Sequence, residues 1–157
     1  MSARTFKAAV AQLLATDAQL QADLTAALGA PVTRVLASNQ PWSQIPADLY
    51  PCWVVEQGDG RAASIVNDGT DSLAIGGGRQ DFESTLDIAL LWSQADREAA
   101  ATARSALPEI VSRLFLRNPQ PGVSQAWLQG WQPDQGINHP RHLWTAEILG
   151  QYRIRRN

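Results

Sequence analysis

Phe82-Glu83-Ser84-Thr85-Leu86-Asp87-Ile88-Ala89-Leu90-Leu91-Trp92 alternates at every step. Phe82, Ser84, Leu86, Ile88, Leu90 and Trp92 fall on one face, and Glu83, Thr85, Asp87, Ala89 and Leu91 on the other. A period of two belongs to a half-buried antiparallel strand, because successive side chains point to opposite sides of a pleated sheet. The end of the chain repeats the pattern. There Trp144, Ala146, Ile148, Tyr152 and Ile154 oppose Thr145, Glu147, Gln151, Arg153 and Arg155. Two such strands imply a sheet with one apolar and one polar face, and the apolar face needs a second layer to cover it.

Helical patterns supply that layer. Phe6, Val10, Leu13 and Leu14 mark an apolar stripe that Leu20, Leu24 and Leu28 continue, with Thr16 and Asp17 placed either to cap a second helix or to sit in a bent single one. Gly29 provides a left-handed end and Pro31 prevents continuation. A second stripe runs through Ala99, Ala103, Leu107, Ile110, Val111, Leu114 and Phe115, capped by Ser93 or Asp96, and Pro108 within it predicts a kink or a break. Asn118-Pro119-Gln120-Pro121-Gly122 ends it. Cys52-Trp53-Val54-Val55-Glu56 reads as a strand between Pro51 and Gly58-Asp59-Gly60, and residues 123–131 read as another. Residues 41–51, with Pro41, Pro46 and Pro51, read as an extended surface path.

Residues 58–81 carry few core signals, yet connections longer than about 12–15 residues usually have a function of their own. Asn67-Asp68-Gly69 is a tight-turn sequence between Ser64-Ile65-Val66 and Ser72-Leu73-Ala74-Ile75. Residues 62–78 are therefore expected to form a projecting β-hairpin arm hinged at Gly76-Gly77-Gly78. The whole predicts one α+β domain over residues 1–157: an antiparallel sheet of about four main strands, α-helices packed on one face, and the arm.

Composition narrows the function. The chain has 157 residues, 18% of them charged, and a formal net charge of -2, which disfavours a dedicated nucleic-acid binder. Its basic cluster, Arg153, Arg155 and Arg156, reads first as a solvated strand end. Cys52 is the single cysteine, so no intrachain disulfide is available and a reducing compartment is expected. Residues 1–30 have neither the unbroken apolar core of a signal peptide nor the length of a membrane span, so a soluble protein made in the cytosol is expected, with no membrane partner.

Each candidate for chemistry meets a simpler account. Gly76-Gly77-Gly78 lacks the Lys-Ser/Thr ending of a phosphate loop and precedes a strand rather than a helix, which suits a hinge. His139 and His142 stand three apart across Pro140, a spacing that would bring two imidazoles to one metal only on a helix, so they read as loop and strand-start residues. Ser64, Ser72 and Ser84 lack a nucleophile elbow, and Cys52 begins an apolar strand where a buried, inert thiol is ordinary. Trp53, Trp92 and Trp144 lie on the apolar faces of separate strands, as core residues do. Asp81, Glu83 and Asp87 share the polar face of one strand, which is first a solvated face. Neither catalysis nor a cofactor or metal is expected.

The layout resembles the tail terminator and head–tail joining proteins of long-tailed bacteriophages. The parts that carry the resemblance are the amphipathic N-terminal helix ending at Leu28-Gly29-Ala30-Pro31, the proline-rich passage into Pro51-Cys52-Trp53-Val54-Val55-Glu56 and the Gly/Asp-rich arm. The strand of residues 82–92, the helix of residues 96–117 and the closing strand follow in the same order. The resemblance implies an α+β virion protein that forms a homo-oligomeric, hexameric ring, caps the tail tube and joins it to the head connector or neck. It implies residence in the virion tail or neck, after assembly in the host cytoplasm. On that reading Ile65, Val66, Asn67, Asp68, Gly69, Leu73 and Ile75 contact a neighbouring subunit or the tail tube. Glu83 and Asp87 then face a lumen through which DNA passes without specific binding. The alternatives are another neck or head-completion protein, a small-ligand or peptide-binding domain whose arm closes over a pocket beside Trp42 and Trp131, and a small hydrolase using a carboxylate pair.

Overall fold

The computed structural model describes residues 2–36, 41–65, 78–134 and 138–156. Helix α1 spans Ala3–Thr16 and α2 spans Ala18–Leu28. Asp17 separates them: its extended backbone ends α1, and its carboxylate accepts the Leu20 amide at 2.8 Å to start α2. Gly29 closes α2 in the left-handed region at φ 82°, as its position before Pro31 predicts. Strand β1 is short, Val35–Leu36, and the proline-rich passage follows as two 3-10 turns, Trp42–Gln44 and Ala47–Leu49.

Strands β2 (Cys52–Ile65) and β3 (Gly78–Ser93) form a long hairpin. Helix α3 spans Arg97–Arg117, capped by Asp96 through the amides of Glu98 and Ala99. β4 (Gln125–Pro133) and β5 (Arg141–Arg156) complete a sheet of order β1-β2-β3-β5-β4. The α+β class is as expected, but the sheet has five strands and is mixed, because Val35 and Leu36 run parallel to Trp53 and Val54. Two residues give no periodicity to read.

Three further expectations are corrected. Of the kink or break expected at Pro108, the break does not occur: α3 continues through it, with Leu107, Ile110, Val111, Leu114 and Phe115 buried on both sides of the proline. Gly58-Asp59-Gly60 does not end β2: the strand crosses these residues with a register shift between Gln57 and Gly60 and continues alongside β3. Residues 41–50 are more than a surface path. They cover one end of the sheet's second face, where Ile45 packs with Cys52, Val54, Ala89 and Leu91 and with the half-buried Trp42, Leu49, Tyr50 and Leu143.

The principal core lies between the sheet and the three helices. Leu86, Ile88, Leu90 and Trp92 of β3 join Trp144 and Ile148 of β5, with Phe6, Val10 and Leu14 from α1, Leu20 and Leu24 from α2, and Leu107, Val111 and Leu114 from α3. Leu13 packs against this cluster half-buried. Trp53 and Trp144 are fully buried, as their strand positions predict. No helix among the described residues is long and apolar enough to cross a membrane.

Candidate functional site

Among the described residues, the face of the sheet away from the helices is covered only at the end where residues 41–50 lie. Beyond Ala89 and Val54 it turns polar. Its first row is Glu56, Asp87 and Glu147, which stand in register on β2, β3 and β5. Cross-strand partners share a face, so three carboxylates lie side by side, an arrangement that repels. Burial raises the Asp87 carboxyl above the ordinary range, and the nearby Asp59 charge raises it further.

The next rows are paired. Glu83 accepts from Arg61 on β2 at 2.8 Å and from Gln151 on β5 at 3.0 Å. Hydrogen bonds from Gln151 and then Arg61 hold its carboxyl below the usual value. Arg153 donates to both oxygens of Asp81, at 2.7 and 3.2 Å, a two-point contact that raises its already high pKa. Glu83 and Arg153 each pair with residues that stand directly opposite them in the ladder. Two shallow hollows flank Glu147. One of about 290 Å³ lies toward Asp59, Arg61 and Glu83, and one of about 300 Å³ lies toward Trp42, Asp87 and Trp131.

The β-hairpin that carries these rows extends from the core. Phe82 and Tyr152 stack on its helix-side face at 5.5 Å between ring centroids, and the ladder continues to Gly78 opposite Arg156. Ser64 and Ile65 pair with Asp81 and Gln80. Val66, Asn67, Asp68, Gly69, Leu73 and Ile75 lie outside the described residues, as do Gly76 and Gly77.

His142 opens β5 as a buried residue and His139 precedes it in the loop. The Gln94 carbonyl lies 3.1 Å from His142 Nε2 and can only accept, so Nε2 carries the proton and Nδ1 accepts from Arg104 at 3.1 Å. Asp134 accepts the Leu143 amide at 2.8 Å and stands 3.5 Å from the Arg104 guanidinium. This tautomer suits a structural clamp joining α3, β4 and β5. Among the described residues no three His, Cys, Asp or Glu side chains are grouped to hold a metal. Cys52 is buried, and burial pushes its thiol up, away from reactivity.

Of the positions read from sequence, Glu83 and Asp87 do share the open face, and Trp42 and Trp131 do border one hollow. Glu56 and Asp59 were missed. Neither stands out in a linear reading, since the link to Asp87 is made by strand register and by a bulge.

No protein-family model matches the chain. No curated protein matches it either. Among solved structures, a chain of "Virion of native gene transfer agent (GTA) particle" superposes with a TM-score of 0.50 at 17% sequence identity, covering 94% of each chain. This chain therefore shares its fold with that chain over nearly the full length of both.

Proposed function

We propose that the protein is a structural component of a phage-like particle, a tail terminator that acts as a ring, without catalysis or cofactor. The observation that carries this reading is the shared fold over 94% of both chains with a protein of a gene transfer agent virion. The ring, of six copies, ends the tail tube and joins it to the connector or neck. A ring requires two different surfaces that meet head to tail around an axis. The hairpin end of the sheet on one side, and the exposed Trp131 and Leu116 on another, are apolar or extended features of the kind that such contacts use. The open sheet face, with Asp87 and Glu83, lines the passage, where carboxylates repel phosphate and let DNA slide.

Electron microscopy of particles produced without this chain tests the reading. Tails of unregulated length, separate from filled heads, are expected, and the purified protein added back should restore joining. Tails of normal length attached to heads would end the proposal. A binding domain remains the second reading, because Trp42 and Trp131 do converge on a hollow.

A further inference from the structure

Where β5 begins, a concavity of about 430 Å³ lies between residues 41–50 and the loop of residues 138–142. Its apolar part is Trp42 together with Leu91 and Leu143 of the sheet. Ser43, Tyr50, Asn138 and Arg141 supply its polar groups. Ser43, Asn138 and Arg141 are exposed and Tyr50 is half-buried, so their polar ends are open to an incoming ligand. These four make no side-chain hydrogen bond or ion pair with any described residue. His139 Nδ1, in the same wall, is buried without a hydrogen-bond partner among the described residues.

Hydrogen bonds and packing hold both walls in place. The Gln94 amide donates to the Pro140 carbonyl at 2.8 Å and the Arg141 amide to the Asn138 carbonyl at 2.9 Å, which fixes the loop. Arg34 donates to the Leu49 carbonyl at 2.8 Å, and Ile45 is buried beneath, which fixes the opposite wall. Preorganised walls lower the ordering cost of binding.

The charge balance selects the ligand. Asp134 borders the concavity, but its carboxylate already accepts the Leu143 amide and faces Arg104. Among the described residues that line the concavity, Arg141 is the one permanent cation. Guanidinium, phenol, serine hydroxyl and amide are together rich in donors, and a single cation between a tryptophan and two leucines matches a monoanion better than a phosphate dianion. We propose that this concavity binds a carboxylate carried on an apolar group, with Arg141 as the anion contact and Trp42 against the apolar part. The carboxylate belongs either to a small organic acid or to the C-terminus of a polypeptide. This inference stands independently of the assembly reading.

Chemical-shift titration of the intact protein with N-acetylphenylalanine, its primary amide, and an alanine peptide ending in phenylalanine with a free carboxylate tests it. The acid is expected to shift the Trp42 indole signal saturably, and the amide to bind at least about tenfold more weakly. Arg141→Gln, an exposed change, should cost a similar factor, whereas Arg4→Gln on α1 should cost nothing. A peptide at least about tenfold tighter than N-acetylphenylalanine assigns a polypeptide terminus, and equal affinity assigns a small acid. Equal binding of acid and amide, an unaffected Arg141→Gln variant, or no saturable shift up to roughly 10 mM would each overturn the proposal.

Discussion

Gly150 of β5 lies directly under the ring of Phe6: a β-carbon at position 150 would stand 2.5 Å from Phe6 Cε1 and 2.6 Å from Cζ. This contact lets α1 settle onto the middle of the sheet, and it explains why an otherwise regular strand carries a glycine between Leu149 and Gln151.

Gly150→Ala should therefore destabilise the fold by about 1–3 kcal/mol through overpacking, since Phe6 is fully buried and has nowhere to turn. In a double-mutant cycle with Phe6→Leu, the two losses should be less than additive. Additive losses in urea denaturation would show that the two residues do not press on each other.

Asp17 joins three helices. It caps α2 through Leu20, accepts from Arg117 of α3 at 2.8 Å, and accepts from Asn118 at 3.1 Å. Burial opposes its ionisation, but the Leu20, Arg117 and Asn118 hydrogen bonds outweigh burial and hold its carboxyl below the usual value. Asp17→Ala should cost about 1–2 kcal/mol at neutral pH. Because the folded pKa is depressed, this stabilisation is complete above about pH 5 and is lost as pH falls through the folded value. The difference in denaturation midpoint between wild type and Asp17→Ala should accordingly shrink in acid, and a constant difference would contradict the assignment.

For Asp87 the sign reverses. Its folded pKa is raised, so the native state takes up its proton first, and the destabilising contribution is absent in acid and fully present above the raised value. Asp87→Asn should raise stability at neutral pH by about 0.2–1 kcal/mol, by relieving the row shared with Glu56 and Glu147. The gain should vanish at acid pH. A loss of stability at neutral pH would mean that the carboxylate makes favourable contacts.

Residues 66–77 can be replaced by a two-residue Asn-Gly turn to separate folding from assembly. The ladder from Cys52 opposite Leu91 to Ile65 opposite Gln80 does not need them, so the denaturation midpoint should stay within about 0.5 kcal/mol of wild type. On the assembly role proposed above, joining of heads to tails should be lost. A large drop in stability would make these residues part of the fold, and normal joining would remove them from the subunit or tube contact.

Much of this architecture was present in the linear pattern. Alternation over residues 82–92 and 143–155 fixed which side chains face the helices, because a period of two leaves one solution once one face is buried. Asp17, Gly29 and Asp96 marked helix ends through local chemistry that needs no distant partner. What the pattern could not carry was pairing. β1 is a strand only because Val35 and Leu36 lie beside Trp53 and Val54, and the ladder joins Glu56, Asp87 and Glu147 across 91 positions of sequence. Ala89 and Leu91 sit at polar-face positions in the alternation, yet they are buried, because residues 41–50 fold back over that end of the sheet. The same fold-back brings Trp42 and Tyr50 to Arg141. Local propensity and period are properties of neighbours in the chain, whereas register, coverage of a face and the meeting of charges are set only when distant segments exclude water from one another.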